Sequence, residues 1–241
     1  MDELEEQKLD ALAEFAAGAG HEINNPLSII NGRAQLLLRE IKEPSHRQQL
    51  EIILAQTRRA YEMIADIRFF ARPPKPEIER FDLRKELDKI VSEQMPLMKA
   101  DGIALHYDFQ FRPKENSIES DPVLLHTAVS LLCLNARESL LLANRQGNVY
   151  LSAQCKNSSN SSAYRTVSVE DDGAGVPDEW VSRIFDPYFS GRQAGRGLGF
   201  GLPKVWRIMQ ILGGTVSFEK PSRFVLELLA TAQEIKHKSG T

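Results

Sequence analysis

Gly18-Ala19-Gly20-His21-Glu22-Ile23-Asn24-Asn25-Pro26-Leu27 lies inside a long run of helical periodicity. Apolar or small residues recur at Leu9, Leu12, Ala16, Ala19, Ile23, Leu27, Ile30, Ala34, Leu37 and Ile41. The steps of three and four are the period of one helix face. At about 100° per residue the stripe centres near Ala19 and Ile23, and His21 projects to roughly the opposite side. The sequence thus places an imidazole on the solvent face, with Glu22 adjacent and Asn25 one turn on. An exposed imidazole beside a carboxylate is a candidate nucleophile. A solvated surface histidine is the plainer alternative.

Lys42-Glu43-Pro44-Ser45-His46 breaks the run, and Ser45 is a candidate cap for the next helix. That second helix is expected over about Arg47 to Phe70, with the stripe Leu50, Ile53, Thr57, Ala60, Ile64 and Ile67. A short connector makes the pair an antiparallel hairpin. One hairpin cannot bury both stripes, so a homodimeric four-helix bundle is expected. Ala71-Arg72-Pro73-Pro74-Lys75-Pro76 cannot continue a helix and reads as a semi-rigid spacer. The expected division is a helical domain over 1–72, a linker over 73–80, an α/β domain over 81–232 and a polar tail over 233–241.

Within the α/β part, Leu83 to Lys99 reads as a helix and Ile103 to Phe111 as a strand. Asp121 to Leu142 is a long apolar-striped helix with Pro122 in its first turn. Asn148 to Cys155 and Tyr164 to Glu170 read as neighbouring strands joined by an exposed polar loop. Leu202 to Leu212 is helical, and Gly213-Gly214 leads into a hairpin of Thr215 to Glu219 and Phe224 to Leu229.

Three segments here carry chemistry. Asn135, in Leu131-Leu132-Cys133-Leu134-Asn135-Ala136-Arg137-Glu138, is an amide on a leucine-rich helix, and a buried amide must find partners. Glu170-Asp171-Asp172-Gly173-Ala174-Gly175 is a strand running into a tight glycine turn that can bring a ligand close to backbone. Gly195-Arg196-Gly197-Leu198-Gly199-Phe200-Gly201-Leu202 precedes a helix, where alternate glycines can cradle phosphate. A dinucleotide fold does not fit, because no long parallel βαβ unit comes after the glycines.

In this order the segments resemble the transmitter region of the sensor histidine kinase family, with its HEINNPL variant from nitrogen- and dicarboxylate-sensing relatives. The resemblance implies a two-domain chain. An all-α hairpin forms the dimeric four-helix bundle, followed by an α/β sandwich of the GHKL (Bergerat) ATP-binding fold. By the resemblance, His21 accepts the γ-phosphoryl group of ATP, Glu22 assists as base, and Asn25 orients water when the partner regulator is dephosphorylated. Asn135 holds Mg²⁺ between the phosphates, with Glu138 in the same segment. Asp171 accepts from the adenine amino group, and Gly173 and Gly175 leave room for the ring. Arg183 to Arg192 resembles the F box, which places Phe189 at the base of the ATP lid and Arg192 within reach of phosphate. Gly197, Gly199, Gly201 and Leu202 form the second glycine box.

Three departures stand out. Leu131 occupies the position of a second Asn, Phe200 that of the commoner Leu, and Ser190-Gly191-Arg192 that of Thr-Thr-Lys. Leu131 can neither ligate metal nor activate water, so hydrolysis of ATP to water is disfavoured. The expected activity is autophosphorylation on His21 and transfer to an aspartate of a response regulator. A non-catalytic adaptor and a regulator phosphatase are the rival readings. Input is expected from a separate sensor protein or from a sensor domain this chain lacks.

The composition agrees. The chain has 241 residues, with 30 Lys plus Arg against 33 Asp plus Glu and a formal charge of −3, which gives no general reason to bind nucleic acid. No run approaches the 18 apolar residues of a membrane span. The acidic start MDELEEQKLD lacks the apolar core of a signal peptide. Two cysteines suit a reducing compartment, and a cytoplasmic location is expected.

Overall fold

The computed structural model describes residues 3–112, 115–143, 146–157, 163–189 and 199–230, and at residues 3–17, 19, 21, 157 and 163 the description extends to the backbone alone. Two compact units divide between Pro74 and Lys75.

The first unit is a hairpin of α1 (Glu3–Glu40) and α2 (Pro44–Ala71). Pro26 sits inside α1 and has no N–H to give the carbonyl one turn back, that of Glu22. Pro44 does not end the break but opens α2, where its missing donor costs nothing. The expected Ser45 cap is therefore absent. Glu43 holds the N-cap position without a side-chain cap, and the Ser45 hydroxyl donates to Glu43 Oε1 at 3.3 Å. The end of α1 is closed from the partner helix instead. The Arg47 guanidinium donates to the carbonyls of Leu38 (2.6 Å) and Ile41 (2.9 Å), satisfying orphan acceptors at the negative end of the helix dipole.

The seam between the helices also departs from the expected stripe. Among the described residues, Gly20, Ala34, Leu50 and Thr57 are buried along it. Asn24, Leu27, Asn31 and Leu38 are half-buried between them. Tyr61 crosses the seam, with its hydroxyl 2.7 Å from the Ser28 hydroxyl and 3.2 Å from the Asn24 carbonyl it donates to. A Cβ on Gly20 would come within 3.1 Å of the Ile64 side chain, so the missing side chain lets α2 approach closely. Ile23, Ile30 and Leu37, expected in the core from the helical period, are 45%, 45% and 47% exposed, and Ile53 on α2 is 42% exposed. Seven-residue spacing keeps the first three on one face that the single hairpin leaves uncovered.

The second unit begins earlier than the linker range 73–80 allowed. The Glu77 N–H donates to Asp121 at 2.8 Å, and β1 (Glu79–Asp82) pairs antiparallel with β3 (Ser117–Ser120). Neither strand had a sequence signal, since each is four residues long and polar. The other elements are α3 (Leu83–Ala100), β2 (Ala104–Gln110), α4 (Pro122–Leu142), β4 (Asn148–Asn157), β5 (Ala163–Asp171), a 3₁₀ turn at Asp178–Arg183, α5 (Gly201–Ile211), β6 (Thr215–Glu219) and β7 (Arg223–Leu229). The main sheet has the order β2-β4-β5-β7-β6, and its β2–β4 pair is parallel. A parallel pair requires a crossover, which carries α4 between them. Leu87, Ile90, Leu125, Leu132, Leu140 and Ile208 from the helices bury against Val149, Leu151, Val167, Val169 and Leu226 of the sheet. The result is one helical layer on one sheet layer. Neither cysteine is in a disulfide, and burial pushes the Cys133 thiol up to about 12.

Asp121 ties this unit together. Its Oδ1 accepts from the N–H groups of Val123 and Leu124, both at 2.9 Å, while Oδ2 holds Glu77. Asp121→Ala strips a buried N-cap and orphans the Glu77 donor, so unfolding free energy falls by roughly 2–3 kcal/mol. Urea denaturation of the intact chain measures this, with Asp121→Asn retaining part of the loss.

Candidate functional site

The C-terminal end of β5 presents Asp171, only 6% exposed. Its Oδ1 accepts from the Gly173 N–H at 2.8 Å and from the Ser139 hydroxyl at 3.1 Å. Its backbone carbonyl accepts from the Ser222 hydroxyl. The next residue, Asp172, donates its N–H to the Asn148 carbonyl at 3.1 Å. The Asp172 carboxylate turns to Asn148, accepting from its N–H at 3.1 Å and its Nδ2 at 2.6 Å. Two adjacent acids therefore point to different places. Burial raises the Asp171 carboxyl above its ordinary value, the Gly173 N–H and Ser139 hydroxyl pull it back, and the charges of Asp172 and Glu170 push it further up.

The glycines of the turn are required by space. A Cβ on Gly173 would fall 2.3 Å from both Asp171 Oδ1 and Ser139 Oγ. Gly175 has φ +74° and a Cβ there would meet the Pro221 carbonyl at 2.5 Å. The Val176 N–H donates to that same carbonyl at 3.1 Å, which docks the turn on the β6–β7 connection.

Asn135 is half-buried on α4, one turn before Ser139, so the amide and the hydroxyl share a helix face. Glu138 is half-buried beside them, and Leu131 lies one turn earlier on that face. Among the described residues no group of three His, Cys, Asp or Glu side chains could hold a metal alone. Mg²⁺ typically keeps several waters and takes one or two protein ligands plus phosphate oxygens. Asn135 fits that as a single oxygen donor.

The expected F segment forms a small aromatic cluster. Phe189 meets Trp180 edge-on at 6.1 Å, with the Arg183 guanidinium 4.7 Å from its ring centroid. Tyr188 has φ +63° and packs edge-on at 4.7 Å against Phe200, the residue replacing the commoner Leu and here buried. Gly199, at φ +67°, would place a Cβ 2.4 Å from the Phe189 carbonyl, so the F segment and the second glycine box touch through backbone. Gly201 opens α5 and is exposed, and a Cβ there meets nothing within 4 Å. Leu202 is half-buried in the first turn. The first N–H groups of α5 lack intrahelical partners and form an anion-favouring end. Arg192 and Gly197 lie outside the described residues.

In the first unit, Glu22 and Asn25 are exposed on α1. The His21 backbone is helical, and its side chain lies outside the described ones. Sequence reasoning missed Ser139, Ser222 and Asn148. All three act through contacts between distant elements, and no local spacing signals that.

Residues 11–75 match the His Kinase A (phospho-acceptor) domain, and residues 120–232 match the Histidine kinase-, DNA gyrase B-, and HSP90-like ATPase domain. The sensor histidine kinase ZraS of Klebsiella oxytoca is 30% identical over 217 residues, 88% of this chain and 44% of that protein. The signal transduction histidine-protein kinase AtoS of Escherichia coli (strain K12) is 26% identical over 198 residues, 81% of this chain and 31% of that protein. The solved structure of full-length ShkA in complex with AMPPNP shares the fold at a TM-score of 0.73 and 23% identity, covering 91% of this chain and 46% of that one. The complex of histidine kinase ThkA with response regulator protein TrrA does so at 0.67 and 19% identity, covering 95% and 64%. A phospho-acceptor domain followed by this ATPase domain takes up most of the chain, and the chain belongs to the sensor histidine kinase family. It spans less than half the length of the curated relatives named here. Among the described residues no helix is long and apolar enough to cross a membrane.

A buried carboxyl with a raised value sets a definite pH dependence. The unfolded group titrates near 3.8 and the folded group above it, so between the two the native state alone retains the proton. The stability that Asp171 contributes is full below 3.8 and is lost as pH rises through the folded value. At neutral pH, Asp171→Asn is therefore expected to be more stable than the wild type. Thermal melting across pH measures this, and the difference should shrink in acid.

Proposed function

We propose that this chain is an ATP-dependent protein-histidine kinase that phosphorylates itself on His21 and passes the phosphoryl group to an aspartate of a response regulator. The observation that carries it is the Asp171 turn, with a buried carboxylate at the end of β5 and two sterically required glycines, in a chain that also carries a phospho-acceptor domain. The HEINNPL sequence supports the nitrogen- and dicarboxylate-sensing type.

Asp171 accepts the adenine amino group, and Gly173 and Gly175 let the ring approach backbone. Glu138, Phe189, Arg192, Gly197, Gly199, Gly201 and Leu202 complete the nucleotide set, with the start of α5 facing phosphate. Asn135 is the protein's oxygen donor to Mg²⁺, which neutralises phosphate charge when bound. A His21 nitrogen attacks the γ-phosphorus, the bond to ADP breaks, and Glu22 takes the imidazole proton. Asn25 is exposed and, as an amide, can orient water without acting as a base, which favours regulator dephosphorylation as a second activity of the same helix. The uncovered face of Ile23, Ile30, Leu37 and Ile53 supports a homodimer through the hairpin. A phospho-acceptor unit up to Pro74 and a nucleotide unit from Lys75 divide the labour. A cytoplasmic setting suits a soluble regulator partner, and the signal arrives from a separate sensor or a further domain.

With γ-labelled ATP, His21→Gln should lose the acid-labile, base-stable phosphate while nucleotide binding persists. Glu22→Gln should slow labelling about 10²–10⁴-fold, the usual worth of a general base. Asn25→Ala should spare labelling more than it spares loss of label from a phospho-regulator. Labelling of His21→Gln at the wild-type rate would remove the phosphoacceptor assignment.

Sedimentation at micromolar concentration should give a dimer, and Ile30→Asp should give monomers. A dimer unaffected by that change would place the interface elsewhere.

A further inference from the structure

We infer that Ser139 sets which oxygen of Asp171 meets the nucleotide base, making it the positioning residue by which the site prefers an amino-bearing purine to a keto-bearing one. This role rests on the proposed nucleotide site at Asp171.

The backbone around Asp171 is fixed on both sides. Its carbonyl is held by the Ser222 hydroxyl, and the following N–H by the Asn148 carbonyl at 3.1 Å. What remains free is rotation of the carboxylate about its own bond, a broad torsion with little intrinsic preference. Two donors from different elements remove that freedom. The Gly173 N–H at 2.8 Å and the Ser139 hydroxyl at 3.1 Å both reach Oδ1. No described residue donates to Oδ2, so Oδ2 is the oxygen left to accept from a ligand. The three groups converge closely enough that a single added methyl on Gly173 would strike both Oδ1 and Ser139 Oγ.

Asp172 is turned elsewhere, because the Asn148 N–H and Nδ2 both donate to its Oδ2 and hold its carboxylate at the start of β4. Discrimination at the base therefore depends on one acceptor oxygen in one orientation. Gly173 donates from the same turn as the carboxylate, so its N–H ties the oxygen only to its own loop. Ser139 comes from α4 and locks the turn to the helix that carries Asn135. An amino group at the purine edge donates to Oδ2, whereas a carbonyl there meets a carboxylate oxygen and is repelled.

The test is calorimetric titration of the intact chain with a non-hydrolysable ATP analogue and its inosine counterpart, which carries a carbonyl in place of the amino group. Wild type should prefer the adenine analogue. Ser139→Ala should reduce the ratio of the two affinities about two- to tenfold, the worth of one net hydrogen bond, chiefly by weakening the adenine analogue. Ser139→Thr keeps the hydroxyl and should restore the ratio. Asp171→Asn puts a donor at the Oδ2 position and should erase or invert the preference. If Asp171→Asn leaves the ratio unchanged, the adenine assignment itself fails. If Asp171→Asn erases it but Ser139→Ala keeps the wild-type ratio, or weakens both nucleotides equally, the positioning role is overturned and the nucleotide reading stands. Should Ser139→Ala not fold, Ser139→Cys gives a weaker donor of similar size, and a wild-type ratio there also overturns the proposal.

Discussion

The buried carboxylate of Asp171 is the constraint around which the second unit is organised. An acid this enclosed is unfavourable unless donors meet it, and every nearby element contributes to meeting it. The turn after β5 supplies the Gly173 N–H, and α4 supplies the Ser139 hydroxyl. The β6–β7 connection supplies Ser222 to the backbone of Asp171 and Pro221 to the turn. The start of β4 takes the neighbouring acid away through Asn148. The parallel β2–β4 pair and its α4 crossover bring these groups to one end of the sheet.

That arrangement trades stability for a fixed carboxylate geometry. Burial opposes the ionised form of Asp171, and only part of the opposition is offset by the two donors. A protein selected for stability alone would do better with a neutral amide there. The glycines show the same trade. Gly173, Gly175 and Gly199 each stand where a Cβ would collide with backbone or with the carboxylate itself. Their conformational freedom in the unfolded chain is a cost the fold bears for close approach.

The hairpin uses its apolar residues differently. Along its described residues the seam closes with the small and polar Gly20, Ala34 and Thr57 beside Leu50, helped by Tyr61 and Arg47. The larger side chains, Ile23, Ile30 and Leu37, are thereby left uncovered by the hairpin.

The sequence by itself determined the long helices, the break between the units and the order of the chemical segments. Helical period, proline chemistry and glycine turns are local properties, readable without knowing what lies across the core. Thus α3, α4, β6 and β7 fell within a residue or two of their places, and His21, Glu22, Asn25, Asn135 and Asp171 were legible as candidates. The tertiary structure alone decided which apolar residues of α1 face α2. A stripe of residues at steps of three and four is wide enough to serve two neighbours, and a shift of one residue is about 100° of rotation. It alone placed the four-residue polar strands β1 and β3, which are too short to carry a period of two. And it alone joined Ser139, Asn148 and Ser222 to the Asp171 turn, because a hydrogen bond between residues 32 or 51 apart in the chain leaves no trace in local spacing and forms only when the sheet and helix layers close.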